Sequence, residues 1–98
     1  MVFIIYDFKS NEFDVRYIES EIEHPVLWES HCHSQYEMIA VAKGDITVML
    51  EGQNYRLKEN QILIVPPLLH HSVTANENTR TLIAATYNYG AAASVFAS

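Results

Sequence analysis

Apolar residues along this chain either alternate with polar ones or gather in short runs, and stretches at helical spacing are scarce. Both patterns are signatures of strands. Val2 to Phe8 and Phe13 to Ile18 flank KSNE, a good hairpin connection. Pro25 then opens VLWESHCH, and YEMIAVA follows, stopping at Lys43, Gly44 and Asp45. ITVML stops at EGQN, a second hairpin turn in which Gly52 stands where a positive φ is wanted. YRL is short, and KENQ turns the chain into ILIV. Pro66 and Pro67 end that run, because proline has no N–H to give a sheet ladder. HSVTA and RTLIAATYN complete the series. The pattern predicts about eight or nine short antiparallel strands, an all-β sandwich or barrel.

No linker or internal repeat divides the chain, and 98 residues give room for one domain with one core. The core is expected over about 25–89, behind an N-terminal hairpin over 1–20. The tail 90–98 is small and apolar and has no partner pattern. It is read equally as the start of a helix, a segment packed on a neighbour, a truncation point or an expression remnant.

Composition narrows the function. Apolar residues make up 49% and charged residues 18%, so the chain folds instead of staying disordered. Net charge is -6, and six Lys and Arg scattered among twelve acids make no basic face for a phosphate backbone. Direct contact with nucleic acid is therefore not expected. VFIIYDF is too short for a signal-peptide core and contains Asp7, and no apolar stretch approaches membrane-spanning length. The single cysteine, Cys32, cannot close an internal disulfide. A cytoplasmic protein without membrane contact is the expectation.

Candidate chemistry lies in HCHSQYEMIAVAKG, from His31 to Gly44. In a strand, His31 and His33 point the same way. In a helix they would stand about 200° apart and could not share a ligand. Glu37 has the same parity, but a fully extended chain would carry it roughly 20 Å from His31. Metal–ligand bonds are about 2 Å, so the three residues meet only if the chain bends at Ser34 and Gln35 and Glu37 begins a return strand. PPLLHH supplies His70 and His71 far along the chain. Three imidazoles and a carboxylate form a borderline N/O set, suited to Fe, Mn, Ni or Zn better than to calcium or magnesium.

These residues resemble the cupin superfamily. Its first motif carries His-x-His, then Glu, then Gly, and His31, His33, Glu37 and Gly44 fall on those positions. Its second motif has a proline before a turn and a histidine five residues later, as Pro66 and His71 do. The resemblance implies a double-stranded β-helix, or jelly-roll barrel. It also implies a divalent transition metal held by His31, His33, Glu37 and His71, with His70 a neighbour and not a ligand. Four positions depart from the pattern: Pro25 and Asn60 stand at glycines, Leu68 at the turn glycine, and Ala75 at a terminal asparagine. Asn60 tolerates a positive φ, whereas Leu68 does not, so the turn after Pro67 is expected to differ from the family's.

HSQYEMIAVAKGDITVMLEG and QILIVPPLLHHS are also similar to the N-terminal sensor domain of AraC-type transcription regulators. That resemblance implies a small-molecule effector, a homodimer and a helical DNA-binding module that this chain does not contain. The expected function is effector binding by such a sensor. The alternative is a free-standing small metal-binding cupin, either a metal-dependent enzyme or a storage-like protein. No catalytic residue is assigned. Glu29 is the one apparent general acid–base, and Arg16, Arg56 and Arg80 are candidates to grip an anionic ligand. Met1 to Ser10 is a candidate lid. Trp28 is read as a packing residue or dimer contact and Cys32 as inert. His24 is assigned to a surface loop, and Glu19, Glu21 and Glu23 to a solvated face.

Overall fold

The computed structural model describes residues 2–9, 13–21, 23, 25–87 and 90; for 2–9, Trp28 and His31 it describes the backbone only. The chain forms nine strands: β1 (Val2–Lys9), β2 (Asp14–Ser20), β3 (Val26–His31), β4 (Tyr36–Lys43), β5 (Asp45–Leu50), β6 (Gln53–Lys58), β7 (Ile62–Val65), β8 (His71–Ala75) and β9 (Thr79–Thr86). Every pairing is antiparallel. One sheet runs β1-β2-β9-β4-β7 and the other β3-β8-β5-β6, so consecutive strands repeatedly cross between sheets. The turn spacing anticipated an antiparallel sandwich or barrel, and this is the jelly-roll form of it that the family resemblance implied.

The core lies between the sheets. Strand β8 shows the expected alternation, with His71, Val73 and Ala75 buried while Ser72 and Thr74 are half-exposed. Ile46 and Val48 of β5 and Ile39 and Val41 of β4 are essentially inaccessible to water. Ile18 and Ile83 join them from β2 and β9. β-branched residues suit these pleated, enclosed faces, and full burial of each such side chain stabilises the fold by about 1.5–3 kcal/mol.

Turn chemistry fixes the registers. Glu51 and Gly52 form the two-residue loop between β5 and β6, both at positive φ (47° and 81°), the geometry that matches strand twist. Gly44 joins β4 to β5 at φ 90°. Asn60 and Leu68 stand at φ 67° and 68°. Two of the three family glycine positions that the chain fills with other residues therefore keep a left-handed backbone. For Leu68 this overturns the expectation of a different turn: the Leu68 N–H donates to the His33 carbonyl at 2.8 Å, which holds the turn in the strained form. The other two departures meet each other, since the Ala75 N–H donates to the Pro25 carbonyl at 2.7 Å.

Two further findings bear on the expectations. The candidate lid segment includes β1, which pairs with β2 from Val2–Ser20 to Lys9–Asp14 and forms an edge of the larger sheet. Irregularities in β3, between Val26 and Trp28 and again between Trp28 and His31, break its two-residue alternation, and Glu29, the candidate general acid–base, is exposed. The KSNE turn beyond Lys9, His24, residues 91–98 and the Trp28 side chain lie outside the described residues. No helix among the described residues is long and apolar enough to cross a membrane.

Candidate metal centre

Three of the four anticipated ligands converge at one end of the barrel. β3 ends at His31, bends follow at Ser34 and Gln35, and β4 starts at Tyr36. The required reversal is therefore where the spacing argument placed it. It leaves His33 in the connection and not on a strand, with Glu37 at the second position of β4. Glu37 points inward with Ile39 and Val41, and is 3% exposed. His71 opens β8 in the opposite sheet and is 2% exposed. One ligand atom from each of His33, Glu37 and His71 lies within 4.8 Å of the others. His31 stands opposite His71 in the β3–β8 ladder, but its side chain lies outside the described residues. His70 is exposed, as expected of a neighbour that takes no part.

The loops that carry these side chains are tied together by backbone bonds. The Leu68–His33 bond joins the β7–β8 loop to the β3–β4 loop. The Glu51 N–H donates to the His70 carbonyl at 2.9 Å, and the Glu51 carboxylate accepts from the His70 N–H at 2.8 Å. His71 is thus delivered by a segment clipped on both sides.

Hydrogen bonds fix which face of each imidazole looks inward. His33 Nδ1 lies 3.1 Å from the Gln35 carbonyl, and His71 Nδ1 lies 2.9 Å from the Leu69 carbonyl. A carbonyl only accepts, so each Nδ1 carries the proton and each Nε2 offers a lone pair in the neutral ring. This is the outer-shell pattern that orients metal-binding histidines. Both Nε2 atoms face the same carboxylate oxygen, Glu37 Oε2: His33 at 3.7 Å, His71 in closer contact. The two rings meet edge to face, with centroids 5.2 Å apart. Glu37 Oε2 is buried and finds no hydrogen bond of acceptable geometry among the described residues. Lone pairs converging on a carboxylate oxygen repel unless a cation or proton sits among them.

Burial works against charging His71, but contact with the Glu37 carboxylate and the Leu69 carbonyl outweighs it and raises the imidazole pKa above its ordinary value. The same geometry suits a divalent transition metal. Two imidazoles and one carboxylate would hold such an ion through mixed nitrogen and oxygen donors. A bound ion would supply Lewis acidity toward an oxygen ligand.

Beside these residues opens a cavity of ≈ 100 Å³, lined also by Asp14, Arg16, Gln35, Ile83 and Ala85. The Gln35 side-chain amide donates to Asp14 Oδ2 at 3.2 Å. Of the three candidate arginines, only Arg16 lines this cavity. Arg56 binds both Asp45 carboxylate oxygens at 2.9 Å, on a strand face that alternation turns away from the core. Arg80 pairs with Glu19 at 3.3 Å and is half-exposed. Asp14 and Gln35 were not singled out from the sequence. Alternation shows that Asp14 shares a face with Arg16, Ile18 and Ser20, but it cannot say which strand lies beside β4.

The cupin domain model matches residues 13–86, three-quarters of the chain and all the residues of this site. The chain belongs to the cupin domain family. This cupin's fold is similar to that of a conserved protein of unknown function from Streptococcus pyogenes, with TM-score 0.78 at 13% identity over 90% of this chain and 75% of that one. A cupin superfamily protein from Desulfitobacterium hafniense gives TM-score 0.77 at 11% identity, over 90% of this chain and 79% of that one. The Cnp3 cupin domain of Schizosaccharomyces pombe gives 0.77 at 15% identity, over 96% and 70%. At such identities the likeness concerns the fold. No curated protein matches the chain.

Proposed function

We propose that this cupin is a small metal-binding protein whose ion is held by His33, Glu37 and His71, with His31 as a fourth ligand by family resemblance. The observation that carries the reading is the convergence of two Nε2 lone pairs, one from the β3–β4 connection and one from β8, on the buried Glu37 oxygen of the other sheet. The ion would be Fe, Mn, Ni or Zn, given the nitrogen and oxygen donors. Its open positions and the adjoining cavity provide for a small polar ligand, in a cytoplasmic setting. The sensor reading has the wording of the two motifs behind it and no further support.

Elemental analysis tests the proposal. Untagged protein, stripped with a chelator and reloaded separately with each of the four metals, is expected to retain one equivalent of at least one of them. His33→Ala and Glu37→Gln are expected to lose it while keeping the far-ultraviolet spectrum of a β-sheet protein. Folded wild-type protein that retains none of the four, or variants that retain it equally, would sink the reading.

A further inference from the structure

The cavity next to the ligand cluster holds more polar chemistry than a metal requires. Asp14 and Arg16 enter it from β2, on the face that also carries Ile18 and Ser20 inward. Gln35 enters from the β3–β4 connection, and Ile83 and Ala85 supply a short apolar wall from β9.

Charge decides what such a space accepts. Asp14, Glu37 and Arg16 are the charged residues of the lining. A divalent cation on the ligand cluster would add two positive charges beside them. The metal-loaded cavity therefore attracts an anion more strongly than the metal-free one.

Donor chemistry refines the choice. The Arg16 guanidinium presents only donors, in a planar fork that matches a carboxylate. The Asp14 carboxylate presents only acceptors, one of them already engaged by Gln35. A ligand that satisfies both needs an anionic acceptor group and a hydroxyl donor close together. The small volume and the Ile83–Ala85 wall limit it to a short carbon skeleton.

We infer that the cavity binds a short-chain hydroxy acid, with its carboxylate on Arg16 and its hydroxyl on Asp14, and that it does so more tightly when the neighbouring cluster holds a divalent metal. The inference rests on the metal-binding reading and names the ligand class of the same site. Metal and acid then bind with positive coupling, each tightening the other by the same factor.

Calorimetric titration tests this with lactate, lactamide and propionate. Lactamide removes the charge and propionate removes the hydroxyl. Manganese is titrated first, alone. Lactate is expected to bind manganese-loaded protein at least tenfold more tightly than metal-free protein, and at least tenfold more tightly than either analogue. Arg16→Gln is expected to weaken lactate by about ten- to hundredfold, the usual loss for a charge-assisted contact. It should leave the manganese titration within about twofold, which also shows that the variant is folded, and Arg16→Lys should restore part of the loss. Manganese binding without lactate binding overturns this inference and leaves the metal reading standing. Failure of manganese to bind overturns the inference, while the four-metal test above still decides the metal reading. Equal lactate affinity with and without manganese, or in the Arg16→Gln variant, overturns it as well.

Discussion

His71 Nε2 and Glu37 Oε2 meet inside the barrel from opposite sheets. Both side chains are buried, and the Leu69 carbonyl already holds the proton of the other imidazole nitrogen. The contact is repulsive between neutral histidine and carboxylate, and attractive once a proton or a metal ion joins them. Proton and metal thus compete for one position.

In metal-free protein the proton takes that position as pH falls, and stability follows its titration. The folded pKa of His71 lies above the ordinary 6.5, because contact with Glu37 and Leu69 overcomes the effect of burial. A raised pKa contributes stability that is complete below the unfolded value and lost as pH rises through the folded one. The melting temperature of stripped wild-type protein should therefore exceed that of His71→Asn most at pH 5.5, with the gap narrowing by pH 8.5. A gap that widens over that range would contradict the assignment.

Acid acts in the other direction on the outer face of the smaller sheet. Asp45 accepts from Arg56 at 2.9 Å and from the Asn76 side-chain amide at 2.7 Å. Those bonds, Arg56 first, hold its carboxyl below the ordinary 3.8. A depressed pKa contributes stability that is present above the unfolded value and lost as pH falls through the folded one. Urea denaturation should show Asp45→Asn less stable than wild type at pH 7, with the difference gone at pH 2.

Leu68 combines a left-handed backbone with a side chain 67% exposed, so its strain is offset by little burial. A branched side chain at such φ costs about 1–2 kcal/mol, and glycine adds about 0.5–1 kcal/mol of unfolded-state entropy. Leu68→Gly should stabilise the fold by about 0.5–1 kcal/mol in chemical denaturation. The gain requires that the N–H bond to His33 be kept, so metal affinity should not change.

Two glycines at similar φ should respond differently to alanine. A Cβ at Gly44 would lie 2.7 Å from the Asn78 carbonyl oxygen and 2.9 Å from Thr79 Cγ2, whereas one at Gly52 meets nothing within 4 Å. Gly52→Ala carries only the conformational cost, about 1–2 kcal/mol. Gly44→Ala adds the clash, for a total of about 2–4 kcal/mol. Equal losses in a denaturation series would show that the β8–β9 turn yields freely.

The fold was legible because its strands are short, alternating and separated by turn residues that leave few other solutions. The bend at Ser34 and Gln35 followed from bond lengths alone, since His33 and Glu37 cannot otherwise meet. What escaped the sequence was lateral order. Nothing in DVRYIES says that β2 lies beside β9 and that β9 lies beside β4, which is what brings Arg16 and Asp14 to the cavity. The two breaks of step in β3 were not legible either, because strand irregularities leave no mark in a hydrophobic pattern. Leu68 was misjudged because intrinsic preference disfavours its φ, and the His33 carbonyl overrules that preference.

The donors come from both layers of the sandwich and lie 34 residues apart, between Glu37 and His71. On the metal-binding proposal, a ribosome must therefore release the chain past β8 before the full donor set can close on an ion. Metal uptake would then report that the two sheets have met, and a nascent or truncated chain lacking that strand would gain no protection from the metal against proteases.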